Sequence, residues 1–267
     1  MIIDFHAHCF PDHLAEKGLA PMKALTGIEP CTDGTASGRS AKEKADGVDF
    51  AVVCNIATNP NQLVKVNNFA IDINDFSDTL IALGSAHPDS PILEKELERL
   101  VDHDIRGIKI HPEYIPYYVD SPEWDKVFSL CEEMGIFVIS HTGYDYVSPD
   151  RTATTPDRVA KVLDRHPNLT FIGAHMGGNR FYPQVLEYLC GRPNLYLDTA
   201  IMSRLDRNDL YVSRIIEAHG VDRILFGTDA PWSEPKTEVA YIKSLGLSER
   251  ENEMIFHENA EKLLFRY

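Results

Sequence analysis

The sequence predicts a closed, eight-stranded parallel α/β barrel of the (β/α)8 or TIM class, built as a single domain over residues 1–267. Three observations carry this expectation. Short runs rich in Ile, Val, Leu or Phe recur about every 30 residues with little alternation, which is how a parallel strand buried on both faces reads. Amphipathic stretches of helical period lie between them, and that alternation is the signature of βα units. No Pro/Gly/Ser-rich linker or block of charge divides the chain, so a doubly wound sheet of two half-domains ranks second.

In chain order the expected strands are Ile2–His6, Phe50–Cys54, Leu80–Ser85, Gly107–His111, Ile136–His141, Thr170–His175, Leu195–Thr199 and Ile224–Thr228. The expected helices are Gln62–Phe76, Pro91–Val101, Trp124–Met134, Pro156–Arg165, Asp209–Ala218 and Lys236–Leu245, with a closing helix over Glu251–Phe265. Ser90-Pro91 and Ser121-Pro122 put a capping hydroxyl before a first-turn proline. Gly135, Gly220 and Gly246 stand where helices end in a left-handed residue. The segment Phe10–Gly38 is polar and turn-rich, and reads as an irregular insertion loop over the active-site face.

Composition narrows the function. At 43% hydrophobic and 25% charged, the chain is an ordinary globular protein. Its 26 Lys plus Arg against 41 acids give a net charge of −15, which disfavours nucleic acid and anionic membrane surfaces as partners. No apolar run approaches the roughly 18 residues of a membrane helix. The start carries no signal-peptide pattern, so the expected location is cytoplasmic. Five scattered cysteines without a CxxC pair are neither a disulfide framework nor a zinc knuckle. Four read as small buried residues, while Cys9 abuts a histidine motif.

The chemistry lies in how the apolar runs end. Five of the eight finish in His or Asp: His6-Ala7-His8, Lys109-Ile110-His111, Ser140-His141, Ala174-His175 and Thr228-Asp229. In a parallel barrel these ends meet at one rim, where catalytic groups sit. Residues two apart on a strand share a face, so His6 and His8 can reach one ion. A lone strand-end histidine is more often a hydrogen-bonded rim residue; the pair, together with His141, His175 and Asp229, points to a divalent metal site. Lys109 and His111 should point into the barrel. Arg180, Tyr114, Tyr144 and Trp232 follow strand ends and are candidates to contact a small-molecule substrate.

At these residues the sequence resembles the metal-dependent hydrolase (amidohydrolase) superfamily. It is more closely similar to the branch that holds aminocarboxymuconate semialdehyde decarboxylase and related aromatic-acid decarboxylases. The motifs that carry the resemblance are Ile3-Asp4-Phe5-His6-Ala7-His8, Gly107-Ile108-Lys109-Ile110-His111-Pro112, Val138-Ile139-Ser140-His141-Thr142-Gly143, Gly173-Ala174-His175-Met176-Gly177-Gly178 and Leu225-Phe226-Gly227-Thr228-Asp229-Ala230-Pro231. The tail Glu258-Asn259-Ala260-Glu261-Lys262-Leu263-Leu264 also matches. The resemblance implies that His6, His8, His141 and Asp229 hold one ion and that His175 is the acid/base beside it. Zinc is the expected ion, and manganese also suits the set. In the binuclear members a carboxylated lysine bridges two ions, a version that Lys109 keeps open. Barrels of this branch are often dimers, which leaves a homodimer open.

Two reactions fit such a site. A bound zinc lowers the pKa of its water to about 7, and Asp229 and His175 can move protons. The first reading is therefore hydrolysis of an amide, lactone or ester of a small acidic or cyclic substrate. The alternative is non-oxidative decarboxylation of an aromatic or unsaturated carboxylic acid, oriented by Lys109, Arg180 or Arg39. A remote third reading is a metal- or ligand-binding barrel without turnover.

Overall fold

In a computed structural model, which describes residues 1–204 and 207–265, the chain forms the expected parallel barrel. Its strands are β1 (Ile3–Ala7), β2 (Phe50–Val53), β3 (Leu80–Ala82), β4 (Gly84–Ser85), β5 (Gly107–Ile110), β6 (Phe137–Ser140), β7 (Phe171–Gly173), β8 (Leu195–Asp198) and β9 (Ile224–Leu225). The third expected strand is interrupted at Leu83 and supplies both β3 and β4. Each strand pairs in parallel with the next in sequence, as β1-β2-β3 and β4 through β9. The circle closes through Phe5 N–H donating to Phe226 O at 2.7 Å, Asp229 N–H to His6 O at 2.7 Å and His8 N–H to Ala230 O at 2.6 Å.

Apolar residues fill both sides of the strands. Ile3, Phe5, Val52, Leu83, Phe137, Ile139, Ile172 and Leu225 form one cluster inside the barrel. Val53, Leu80, Ile108, Val138, Phe171, Leu195 and Ile224 belong to the layer under the helices. On β6 the alternation Phe137 in, Val138 out, Ile139 in shows the pleat directly.

The helices are α1 (Ala15–Thr26), α2 (Ala36–Asp46), α3 (Leu63–Phe76), α4 (Leu93–Asp102), α5 (Pro122–Met134), α6 (Pro156–Arg165), α7 (Tyr182–Tyr188), α8 (Asp209–His219), α9 (Pro235–Ser244), α10 (Glu249–Glu253) and α11 (Asn259–Leu264). The last two are joined by one wide π turn, Met254–Glu258, so the closing segment runs as expected. Gly135 and Gly220 cap α5 and α8 with positive φ. Ser121 precedes α5 as expected, yet its side chain makes no capping hydrogen bond. Ser90 stands two residues before the cap position of α4, Ile92.

The segment Phe10–Gly38 is not irregular. It contains α1 and the start of α2, with Gly18 and Pro21 inside α1. Both are helix breakers in isolation, but Gly18 has a packing reason. A Cβ there would stand 2.8 Å from the ring of Phe10. Three cysteines (Cys9, Cys54, Cys131) are buried, whereas Cys31 and Cys190 are only half-buried. No helix among the described residues is long and apolar enough to cross a membrane.

Candidate metal centre and substrate cavity

β1 delivers two of the histidines through a local irregularity. Its pairing with β2 shifts register between Asp4 and Ala7, so β1 spends one residue more than its partner there, as in a β-bulge. The consequence is that consecutive residues both turn inward: Phe5 enters the barrel cluster and His6 lines the cavity above it. Asp4, buried below, accepts hydrogen bonds from His6 N at 3.1 Å, Thr228 N at 2.9 Å and Thr228 Oγ1 at 2.5 Å. It thereby ties the first strand to the segment that carries Asp229.

His6, His8 and Asp229 bring one ligand atom each to within 4.8 Å of one another. His8 Nε2 is 3.0 Å and His6 Nε2 3.6 Å from Asp229 Oδ1. Lys109 Nζ stands 2.9 Å from His6 Nε2. Burial first, and then the Lys109 charge, pull the His6 pKa from 6.5 down to about 4, which keeps the ring neutral. Burial pushes the Asp229 carboxyl up, but the His8 hydrogen bond and the imidazoles of His6 and His175 hold it far below the usual carboxylate range. Neutral imidazoles beside an ionised carboxylate are the donor set that zinc or manganese takes, so these residues fit a divalent ion.

His141 stands apart from that trio. Its Nδ1 faces His175 Nε2 at 3.2 Å. Burial, followed by His111, His175, Lys109 and His6, drives its pKa well below 6.5. His175 Nδ1 donates to Ala200 O at 3.1 Å, and the His175 ring is 5.2 Å from that of His6. A second group, His111 with His141 and Asp145, also has ligand atoms within 4.8 Å. The His111 and His141 rings, however, stack at 4.2 Å and 15°. Ring-nitrogen lone pairs lie in the ring plane, so two nearly parallel rings do not converge on one ion.

Backbone strain marks the same rim. Six described non-glycine residues have positive φ, and His175, Ile201 and Asp229 among them line the cavity. For side chains this conformation is costly and clusters at functional sites.

The cavity encloses about 590 Å³, within the usual range for a small-molecule site. Every candidate contact residue except Arg180 lines it: Lys109, His111, Tyr114, Tyr144 and Trp232 stand beside the histidines and Asp229. Arg180 is exposed and stacks outward on Tyr144, with its guanidinium 3.9 Å from the ring centroid. Arg39 is fully buried in α2, 2.7 Å from Glu43, and is not part of the cavity wall. The segment Phe10–Gly38 covers the site as expected, through Leu14, Gly18, Pro21 and Met22 around α1, whereas sequence reasoning overlooked the α3 residues Val66 and Phe69. It also passed over Lys65, exposed on α3. Asp198 was overlooked too, although it stands near the end of the seventh apolar run much as Asp229 follows the eighth. Its Oδ2 accepts from His6 Nδ1 at 2.8 Å.

Solved structures share this fold. An uncharacterized TIM-barrel protein from Bordetella bronchiseptica superposes with a TM-score of 0.83 at 23% identity, over 98% of each chain. 5-Carboxyvanillate decarboxylase from Sphingomonas paucimobilis does so with 0.76 at 18%, over 98% of each. Dihydroxybenzoic acid decarboxylase from Polaromonas sp. JS666, with bound manganese and the inhibitor 2-nitroresorcinol, gives 0.73 at 16%, over 98% of this chain and 96% of that one. No curated protein matches the chain by sequence. The profile of the amidohydrolase family matches residues 3–266, and with the strand-end histidines and aspartate in their expected order, the chain belongs to the amidohydrolase family.

Proposed function

We propose that this protein is a metal-dependent, non-oxidative decarboxylase of a small aromatic or unsaturated carboxylic acid. The observation that carries the reading is the setting of the metal-ligand trio, in a cavity of about 590 Å³ walled by Phe10, Met22, Val66, Phe69, Tyr114 and Trp232. An apolar wall favours a flat organic acid and strips water from its carboxylate. The negative charge held there disperses as CO2 leaves, so desolvation favours the transition state over the ground state. Hydrolysis, the first expectation from sequence, needs water as a reactant and gains nothing from that wall. The decarboxylases among the similar structures support the same choice.

His6, His8 and Asp229 would hold the ion, which supplies Lewis-acid attraction for a substrate oxygen. Zinc and manganese both suit this set. Lys109, 1% exposed, is the buried cation among the described lining residues and orients the substrate carboxylate. His175, with Nδ1 donating to Ala200 O, takes up a proton from solvent on its Nε2 lone pair and delivers it to the carbon that bears the carboxylate. The C–C bond then breaks, its electron pair returns to the π system, and CO2 departs. The ring stack of His111 on Tyr114, 4.1 Å apart and 3° from parallel, gives the acid a flat wall. The protein works on a small molecule, and a homodimer is the assembly proposed for it.

The test is a panel of aromatic and unsaturated carboxylic acids, lactones, amides and esters. Each is incubated with protein stripped of metal and then reloaded with zinc or manganese. Metal-dependent CO2 release from an acid supports the reading; metal-dependent hydrolysis without CO2 replaces it.

A further inference from the structure

Asp198 closes β8 with its carboxylate fully buried, and both of its oxygens are engaged. Oδ2 accepts from His6 Nδ1 at 2.8 Å. Oδ1 accepts from the backbone N–H of His175 at 2.8 Å and of Ala200 at 3.0 Å. The Ala200 carbonyl in turn accepts from His175 Nδ1 at 3.1 Å. One carboxylate therefore reaches two imidazoles by different routes. It touches the His6 ring directly, and it reaches the His175 ring through the turn that holds Ala200.

We propose that Asp198 is a positioning residue that locks both rings in the Nδ1–H tautomer, so that His6 and His175 each turn an Nε2 lone pair toward the cavity. One of its oxygens lies within 4.8 Å of a ring nitrogen of His6 and of His175, so direct ligation is the competing role. The engaged oxygens argue against it: a carboxylate that accepts one ring N–H and two backbone N–H groups has little left for an ion. Carboxylates that hold a ligating histidine in this way set its tautomer and raise its basicity. The inference rests on the metal site in the proposed function, but not on the reaction.

Asp198→Asn separates the routes. The amide oxygen still accepts from His175 N and Ala200 N, so the fold and the His175 ring are kept. The amide NH2 now faces His6 Nδ1 and can only donate to it. The His6 proton must then move to Nε2, which removes the lone pair an ion needs, as a wrong-tautomer histidine does in a catalytic triad.

Two readouts need no substrate. Nitrogen-15 NMR of the metal-free protein should show His6 protonated at Nδ1 in the wild type and at Nε2 in Asp198→Asn. Competition with a chromophoric chelator should show zinc or manganese bound roughly 10–100-fold more weakly by the variant. A wild-type His6 protonated at Nε2 overturns the proposal, and needs no variant to fold. So does an unchanged metal affinity in Asp198→Asn. Lost metal with the His6 tautomer unmoved overturns it in favour of direct ligation. If the wild type binds neither ion, the metal reading fails while the tautomer still decides the role of Asp198.

Discussion

His8 Nε2 lies 3.0 Å from Asp229 Oδ1, a contact between residues 221 apart in sequence. Without an ion, the histidine satisfies the carboxylate by a hydrogen bond. With one, both atoms would turn to the same centre. His8→Ala and Asp229→Ala should each strip the protein of its divalent metal, from about one ion per chain to a trace, by elemental analysis after gel filtration. Retention of a full equivalent in either variant removes that residue from the site.

His175 decides between an acid and a ligand. Its Nε2 is 3.2 Å from His141 Nδ1, close enough for the pair to chelate a second ion. We expect His175→Asn to keep its metal and lose roughly 10²–10⁴ in kcat, the worth of a positioned acid or base. Loss of about one ion per chain, with carbamate mass on Lys109 in the wild type, points instead to a binuclear site.

Gly143 follows β6 at φ +87, and a Cβ there would overlap the backbone of Asn179. The neighbouring backbones are already joined, Tyr144 N–H to Asn179 O at 3.0 Å and Asn179 N–H to Thr142 O at 3.1 Å. Gly143→Ala therefore meets both strain and collision, with no flexible side chain to yield. We expect a loss of about 3 kcal/mol or more, read by denaturant unfolding, and a Tm unchanged to within a degree would contradict the geometry.

His219, at the end of α8 and outside the cavity wall, gives a pH signature. It is 1% exposed, with Nε2 donating to Leu195 O at 3.0 Å and Nδ1 accepting from Gly191 N at 3.2 Å. Both bonds suit the neutral ring, and burial lowers its pKa from 6.5 to about 4. The folded state thus binds fewer protons than the unfolded state between those values. This stability is complete above pH 6.5 and is lost as pH falls toward 4, by up to roughly 3 kcal/mol. Urea midpoints measured across that range should fall more steeply for the wild type than for His219→Gln.

Arg39 and Glu43, both fully buried, form an ion pair at 2.7 Å on the inward face of α2. Burial, and then the nearby Asp4 carboxylate, push the Glu43 carboxyl upward, while the Arg39 guanidinium pulls it back down. Arg39→Met leaves that carboxyl alone and should cost about 3–5 kcal/mol, whereas Arg39→Met with Glu43→Leu should recover much of the loss. Chemical denaturation of both variants measures the difference.

The same pair explains why α2 escaped the sequence reading. Its buried face is Ala36, Arg39 and Glu43, so no apolar stripe announces a helix. In α1, Gly18 and Pro21 mimic a loop, and α7 spans only seven residues with Pro183 inside it. The strands were legible because burial on both faces leaves an uninterrupted apolar run. The rim histidines were legible because several of them end such runs together, where a lone one reads as an ordinary hydrogen-bonded rim residue. The β1 register shift carries no sequence mark, since Phe5 and His6 turn inward together only through pairing with β2. Arg180 follows a strand end by count, but its positive φ turns it away from the cavity and onto Tyr144.

The barrel's seam joins the first strand to the last: Phe5 bonds to Phe226 and His6 to Asp229 through the backbone. The proposed ligands straddle that seam, two from the opening of the chain and one from its final seventh. During synthesis the histidines leave the ribosome first and must wait for more than 200 residues before their carboxylate partner arrives. An ion held there would then act as a late clasp on the finished circle, and metal uptake by nascent chains of increasing length would time the moment the ring shuts.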